Sequence, residues 1–313
     1  MKVAFIDTVH PVLWDRLIQA GYHCQHMEHE PPEKVIPSLK AFDGLVIRSR
    51  FKLNKEVLQQ APNLKFIARS GAGMENIDTQ YCKENNIQCF NSPEGNQQAV
   101  AEHALGMLLM LFNQLKKGDY EVRNGVWNRE DNRGVELAGK TVGLVGYGYM
   151  GSAFAKVLSG IGCKVIAYDK YKAGFSDKYV EECSLTTLYE QTDVLSLHLP
   201  LSEETRYWLN ADRITKFKKP LTLINTARGQ QVHTKDLVEA LKNGVITGAC
   251  LDVLEYEKSS FEKLSTTNLP AEWQYIISSE KVILSPHVAG WTKESYVKLS
   301  EVLADKIIMS FNK

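Results

Sequence analysis

Several features that mark other classes of protein are scarce in this sequence. The 313 residues contain six cysteines and no C-x-x-C pair, far too few for a disulfide-stapled scaffold, so reduced thiols and a cytoplasmic location are expected. Lys plus Arg and Asp plus Glu both number 37, and this balance argues against a nucleic-acid-binding protein. The most apolar stretch, 100–112, is too short to span a bilayer, and the N-terminus turns acidic too soon for a secretory signal. Neither a membrane nor a nucleic acid is an expected partner.

The sequence is rich in short β-branched runs that alternate with amphipathic segments. In the first block the predicted strands are Val3–Ile6, Leu45–Ile47, Leu64–Ala68 and Ile87–Phe90. In the second they are Thr141–Val145, Lys164–Tyr168, Val194–Leu197, Leu221–Asn225, Val245–Leu251 and Val282–Leu284. Such alternation predicts βαβ units around parallel sheets. We therefore expect an α/β protein with two doubly wound parallel-sheet domains, Rossmann- or flavodoxin-like, and a cleft between them.

The region between the two blocks predicts a connecting helix. Residues 93–117 contain few turn signals, and Gly118 is expected to end the helix. The last segment, 292–311, is again helical and is expected to pack back on the first block, which would make that domain discontinuous. His103 lies within the long helix and is interpreted as a satisfied core or interface residue. The histidine-rich stretch 23–29 is interpreted as a polar surface strand, because its spacing matches no standard zinc site, and no metal is expected.

A glycine-rich turn follows the first strand of the second block. Residues 146–151, GYGYMG, fit G-x-G-x-x-G between a strand and a helix. The glycines permit a tight turn, a close approach to a pyrophosphate and close helix–strand packing. Asp169 ends the next strand, where an acid accepts hydrogen bonds from ribose hydroxyls and favours NAD over NADP. Lys170 and Lys172 weaken that preference. The alternative is a glycine turn that binds nothing.

Three polar residues follow the late strands, at the sheet edge where ligands of open α/β sheets bind. They are Arg228, Glu257 and His287. Oxidation of a 2-hydroxy acid requires a base for the hydroxyl proton, a carboxylate to orient that base and a cation for the substrate carboxylate, and these residue types fit the three roles. Each also has a structural explanation on its own: a surface ion pair, a solvated loop charge or a capped turn.

With these motifs in order along the chain, the sequence resembles the NAD-dependent D-isomer-specific 2-hydroxyacid dehydrogenases. The resemblance implies that Arg228, Glu257 and His287 form a catalytic triad and that NAD is the cofactor. It implies an NAD-binding domain, 95–285, inserted into a substrate-binding domain of 1–94 and 286–313, and a homodimer formed through the NAD-binding domains. The cofactor site would include Gly146, Gly148, Tyr149, Met150, Gly151, Asp169, His198, Pro200, Thr205, Thr226, Ala227, Asp252, Ala289 and Gly290. The family proline after the catalytic glutamate is Lys258 here, and the loop 259–280 is longer than usual.

The first block suggests the substrate. Arginines follow two of its strands, and the backbone of the glycine-containing turn 71–73 is expected to form an anion-binding nest. The expected substrate-binding residues are Arg48, Ser49, Arg69, Ser70, Gly71, Ala72, Gly73 and Arg228. Because guanidinium groups suit phosphate, a phosphorylated substrate is favoured.

The sequence around these residues, in 47–50, 69–78 and 91–96, also resembles the D-3-phosphoglycerate dehydrogenase branch, which belongs to serine biosynthesis, and the resemblance favours D-3-phosphoglycerate as the substrate. The C-terminal serine-sensing domain common in that branch is not expected here. The alternatives are that Arg48 and Arg50 pair with acids such as Asp43 or Glu75, and that the substrate is glyoxylate, hydroxypyruvate or D-lactate. A third alternative is a non-catalytic NAD(H)-sensing protein.

Overall fold

The computed structural model describes residues 1–257 and 270–311 and shows two compact α/β units. Unit 1 comprises residues 1–96 and 291–311, and unit 2 comprises 97–257 and 270–290. The helices are α1 (Pro11–Gln19), α2 (Pro32–Ser38), α3 (Lys55–Leu58), α4 (Thr79–Glu84), α5 (Pro93–Phe112), α6 (Leu115–Arg123), α7 (Tyr149–Leu158), α8 (Leu185–Gln191), α9 (Ala211–Ile214), α10 (Thr234–Lys242), α11 (Ala271–Ser278) and α12 (Lys293–Phe311). The strands are β1 (Lys2–Phe5), β2 (His23–His26), β3 (Gly44–Ile47), β4 (Phe66–Arg69), β5 (Gln88–Asn91), β6 (Thr141–Val145), β7 (Lys164–Tyr168), β8 (Glu181–Glu182), β9 (Val194–Leu197), β10 (Leu221–Asn225), β11 (Ile246–Leu251) and β12 (Val282–Leu284).

Unit 1 is built on a parallel sheet of order β2-β1-β3-β4-β5. The central strands β1, β3 and β4 are short and mostly apolar because both faces are covered, whereas the edge strand β2 is polar and largely exposed. One face packs against α1 and the C-terminal helix α12, where Leu303 and Ile307 join Phe5 and Leu13 in one buried cluster. The order reverses between β1 and β3, so the residues that follow these two strands lie at the switch point where ligands of doubly wound sheets bind.

Unit 2 is built on a parallel sheet of order β12-β11-β10-β9-β6-β7-β8. Buried side chains form one cluster on each face of this sheet. The order reverses between β6 and β9, so the glycine turn after β6 lies at the switch point. The two parallel sheets confirm the predicted α/β fold class.

The connecting helix differs from its prediction. It breaks at Gln114, which adopts a left-handed backbone conformation (φ 51°, ψ 30°) between α5 and α6. Gly118 lies inside α6 rather than at a helix end. The segment after α6 accounts for the break, since the Val135 amide donates to the Phe112 carbonyl at 2.9 Å and the Gln114 side chain donates to the Arg133 carbonyl. The first contact satisfies the Phe112 carbonyl, which a continuous helix would have bonded internally, and the second ties the Gln114 side chain to the same segment.

Candidate active site

The imidazole of His287 lies against the carboxylate of Glu257. His287 follows β12 and Glu257 follows β11, two adjacent parallel strands whose carboxyl ends meet at one edge of the sheet. The His287 Nδ1 to Glu257 Oε2 distance is 2.7 Å, and both side chains are largely buried. The second oxygen, Oε1, accepts from the Leu254 amide. The carboxylate is thus fixed by its own loop and in turn fixes the orientation of the imidazole.

Arg228 follows β10, the next strand of the same sheet. Its backbone carbonyl accepts from the Asn225 side chain at 3.0 Å, and its Nη1 donates to the Ala227 carbonyl at 2.6 Å. The following residue, Gly229, presses against the Glu257 loop, because a Cβ added there would lie 2.0 Å from the Leu254 carbonyl carbon. The arginine segment and the glutamate loop are therefore in direct backbone contact.

A buried carboxylate, Asp252, holds the segment that contains His287. Asp252 is 1% exposed. Its backbone carbonyl accepts from the His287 amide at 2.8 Å, and its side chain accepts from the amides of Val288 and Ala289, both at 2.9 Å. Three consecutive N–H groups are thus bound by one residue. His287 itself has φ 56°, a left-handed conformation that costs a non-glycine residue about 1 kcal/mol or more and that these bonds stabilise.

The glycine turn 146–151 fits a dinucleotide. Cβ atoms at Gly146 and Gly151 would lie 2.5 Å from the His198 carbonyl oxygen and 2.3 Å from the Gly146 carbonyl oxygen, so both positions demand glycine for packing. A Cβ at Gly148 would meet no atom within 4 Å. Gly148 is the N-cap of α7 and provides no side-chain cap. The turn thus leaves room beside a helix N-terminus, the arrangement that receives a pyrophosphate.

Other groups near this turn are consistent with NAD. The hydroxyl of Thr226 is buried and has no hydrogen-bond partner within residues 1–257 and 270–311. Asp169 accepts from the amides of Tyr147, Tyr171 and Lys172, which uses three of about four lone-pair sites of a carboxylate. Lys170 is paired with Glu204, and Lys172 donates to the Tyr147 carbonyl at 2.8 Å. Both lysines therefore have partners of their own at this strand end.

His198 and its neighbours form the support of the turn. The His198 ring bonds to the Ser196 hydroxyl at 2.9 Å and packs near Phe154, and burial lowers its pKa to about 4. Thr205 donates to the Pro200 carbonyl at 2.6 Å, so it organises its own loop. The remaining predicted cofactor residues lie on the turn itself or at the ends of β10 and β12: Tyr149, Met150, Ala227, Ala289 and Gly290.

The predicted substrate residues lie in unit 1, after β3 and β4. The Arg48 guanidinium stacks over the Trp291 ring at 4.5 Å, and Arg69 Nε donates to the Arg48 carbonyl at 3.2 Å. A Cβ at Gly71 would lie 1.7 Å from an Arg69 Nη atom, so the Arg69 side chain covers the turn of residues 70–73. The Ala72 carbonyl of that turn is held by the Asn91 side chain at 2.6 Å.

Arg50 and Asp7 serve the fold of this strand end. Arg50 donates to the backbone carbonyls of Ile6, Met27 and Glu30, rather than to Asp43 or Glu75 as one alternative had it. Asp43 instead contacts Lys65 and the Lys2 amide. One oxygen of Asp7 accepts from the amides of Arg48, Ser49 and Arg50 at 2.7–3.1 Å.

Part of the loop after Glu257 lies outside the described residues, and one residue that was not predicted, His103, lies close to the site. Lys258 and residues 259–269 of the loop 259–280 lie outside them, and α11 lies in the described part of the loop, 270–280. His103, which no sequence pattern placed at the site, bonds to Ser285 at 2.8 Å beside Asp252. No helix in the described ranges combines the length and apolarity needed to cross a membrane.

Comparison with known proteins identifies the family. Residues 105–289 match the model of the D-isomer specific 2-hydroxyacid dehydrogenase NAD binding domain. Hydroxypyruvate reductase of Thermotoga maritima is 35% identical over 90% of this chain and 88% of its own. D-3-phosphoglycerate dehydrogenase of Archaeoglobus fulgidus is 30% identical over 98% of this chain and 57% of its own. The structure of D-lactate dehydrogenase from Aquifex aeolicus, complexed with NAD and lactic acid, has a TM-score of 0.82 at 29% identity, covering 100% and 95% of the two chains.

These matches confirm the resemblance noted from the motifs, and they favour an enzyme over a cofactor sensor. The chain belongs to the D-isomer specific 2-hydroxyacid dehydrogenases and is an oxidoreductase that uses NAD.

Proposed function

We propose that His287 is the acid/base, Glu257 its orienting partner and Arg228 the substrate clamp in the interconversion of a D-2-hydroxy acid and its 2-oxo acid. The contact of 2.7 Å between His287 Nδ1 and Glu257 carries this assignment. With Nδ1 held by a carboxylate, Nε2 exchanges the proton with the substrate hydroxyl, and the imidazolium is stabilised by the adjacent charge. Bound NAD supplies the hydride acceptor.

The remaining groups position the reaction. The guanidinium of Arg228 suits a bidentate grip on the substrate carboxylate and, in the reducing direction, polarises the carbonyl oxygen. The residues 146–151, Asp169 and Thr226 hold the cofactor, and Asp252 keeps the His287 backbone in place. Because Asp169 follows β7, where the ribose hydroxyls of a dinucleotide would bind, and both neighbouring lysines have partners, we propose a preference for NAD over NADP.

Substitution of His287 tests the assignment. His287→Ala is expected to lower kcat by about 10²–10⁴-fold while NADH binding, followed by fluorescence, stays near wild type. Glu257→Gln is expected to lower kcat by at least roughly 100-fold, because the neutral glutamine amide does not stabilise the imidazolium as the carboxylate does. A His287→Ala enzyme with near-normal kcat would contradict the proposal.

For the substrate we propose D-3-phosphoglycerate, oxidised to 3-phosphohydroxypyruvate as in serine biosynthesis. The support is the pair of guanidinium groups, Arg48 and Arg69, at the ends of adjacent strands, beside the turn 70–73 and Ser49. Among the described residues, Arg48 contacts no carboxylate and stacks on Trp291 instead. A planar cation held in this way is suited to a phosphate.

A second candidate substrate is hydroxypyruvate or glyoxylate. Arg50 is bound to three backbone carbonyls, so this strand end offers less positive charge than the sequence suggested. The hydroxypyruvate reductase relative also matches over nearly its whole length. A D-lactate type of substrate is a further possibility that the same assay covers.

The Arg48→Ala variant separates the candidates. With 3-phosphohydroxypyruvate, we expect KM to rise by about 10–100-fold, the loss of one or two charge-assisted hydrogen bonds. With hydroxypyruvate as the matched unphosphorylated substrate, KM should change little. Equal effects on both substrates would remove the phosphate assignment and favour the second candidate.

We also propose that the protein is a homodimer formed through unit 2. Large apolar side chains are exposed on α6 and the segment that follows it: Leu115, Tyr120, Val122, Val126, Trp127 and Val135. An exposed apolar patch of this kind marks a protein–protein contact.

The six free cysteines support a reducing, cytoplasmic location.

A further inference from the structure

His103 stands in the apolar helix α5, yet its ring reaches the segment that carries His287. The ring Nε2 lies 2.8 Å from the Ser285 hydroxyl and 3.6 Å from Asp252 Oδ1. Ser285 in turn lies 2.6 Å from Asp252 Oδ1. A helix residue, a hydroxyl and a buried carboxylate thus form a continuous polar chain inside unit 2.

The direction of these hydrogen bonds follows from the proton count. A serine hydroxyl has one hydrogen, and the Asp252 carboxylate at 2.6 Å is a far stronger acceptor than the Met107 sulfur at 3.5 Å. Since Ser285 donates to Asp252, it accepts from His103 Nε2. His103 therefore carries a hydrogen on Nε2 and fixes the rotation of the Ser285 hydroxyl.

The carboxylate needs all its donors. Asp252 is buried, and its side chain receives hydrogen bonds from Ser285, Val288 and Ala289. An under-satisfied buried carboxylate is costly, and here the cost would fall on the segment that keeps His287 in its left-handed conformation.

We propose that His103 is a positioning residue for the reaction, acting through Ser285 and Asp252 to hold His287 in register with Glu257. The inference rests on the proposed role of His287. His103 touches neither of those two side chains in any hydrogen bond found within the described residues, so its effect is transmitted by the hydroxyl and the carboxylate. Loss of its donor leaves the Ser285 oxygen without the bond that fixes its position, which weakens its bond to Asp252 and loosens the clamp on residues 287–289.

The test compares substitutions that differ in the donor. His103→Leu removes it, whereas His103→Gln keeps an N–H at a similar reach. We expect His103→Leu to lower kcat about tenfold with NADH affinity nearly unchanged, and His103→Gln to recover most of the loss. Ser285→Ala should give a similar loss, and the double variant His103→Leu/Ser285→Ala no more than either alone, because both remove one chain of bonds. Glu102→Gln, on the exposed face of the same helix, is the control.

A second readout does not depend on turnover. In the cofactor-free protein labelled with ¹⁵N-histidine, the His287 ring signals, assigned by their loss in His287→Gln, should shift in His103→Leu and return toward wild type in His103→Gln. Unchanged ring signals and unchanged kcat, with only a lower Tm, would overturn the proposal and leave His103 a packing residue. If the signals shift while wild type reduces no 2-oxo acid, the proposed function fails but the positioning of the ring stands.

Discussion

At the scale of single residues, the glycines of the turn 146–151 are required for two different reasons, the packing of the fold and the room left for a ligand. A Cβ at Gly151 would lie 2.3 Å from a backbone oxygen, whereas a Cβ at Gly148 would meet nothing. Of these two positions, only Gly151 must be glycine for the packing of the polypeptide itself. The motif alone shows three equivalent glycines, and their different reasons become visible only in three dimensions.

The two alanine substitutions should therefore behave differently. Gly151→Ala is expected to destabilise the cofactor-free protein by about 1–3 kcal/mol, since backbone must move. Gly148→Ala should leave its Tm unchanged but weaken NADH binding at least about tenfold, because the methyl group fills the space left for the pyrophosphate. Thermal melts and NADH titrations measure both. Equal Tm losses would show that Gly148 also serves packing.

His198 predicts a pH dependence of stability. Burial lowers its pKa from 6.5 to about 4, so the unfolded chain binds the proton first as the pH falls. Stability should be complete above pH 6.5 and decline between 6.5 and 4, by roughly 3 kcal/mol for this group. Urea unfolding of the cofactor-free protein at several pH values, beside His198→Gln, measures it. A wild-type-minus-variant difference that stays constant across that range would contradict the assignment.

At the scale of secondary structure, sequence patterns predict strands better than they predict the ends of helices. Short β-branched runs gave β6, β7, β9, β10 and β12 with their observed bounds, because strands covered on both faces are almost purely apolar. The charged two-residue β8 carries no such signal. The break at Gln114 depends on bonds from residues 133–135, which no local pattern encodes.

The same distinction applies to the candidate site. Strand-end reasoning pointed to Glu257 and His287, which the structure places in contact; their roles stay predictions. It gave no indication of His103, because a lone histidine in an apolar helix has no partner that can be read along the chain. The hydrogen bonds from Arg50 to three backbone carbonyls were not predicted for the same reason, because those carbonyls are distant along the chain.

Helix α5 offers a matched pair of glycines. A Cβ at Gly95 would lie 2.6 Å from the Leu299 backbone nitrogen of α12, while one at Gly106 would meet nothing within 4 Å. Gly95→Ala should lower stability by about 1–3 kcal/mol, and Gly106→Ala should raise it by up to about 1 kcal/mol through helix propensity. Chemical denaturation of both variants checks this. If Gly106→Ala instead lowers stability, the surface of α5 at Gly106 must be covered by another part of the protein or by a second molecule.

At the scale of the whole molecule, the exposed aromatic groups of unit 2 predict an assembly. Trp127 is 79% exposed and Tyr120 68% exposed, values that are costly if nothing covers them. We expect sedimentation to show a dimer, and Trp127→Asp to shift it toward monomer. Met309→Asp, at an equally exposed apolar position on α12, is the control and should stay dimeric. A monomeric wild type, or dissociation by both variants, would disprove this interface.

The position of Asp7 has a consequence for how ligands can be held in unit 1. One carboxylate oxygen occupies the concave row of amides at Arg48, Ser49 and Arg50, so the strand end carries an internal counter-ion. If the proposed anionic substrate binds there, side-chain cations such as Arg48 must attract it, because the main-chain amides of residues 48–50 are already bound to Asp7. Substrate capture should accordingly weaken as ionic strength rises.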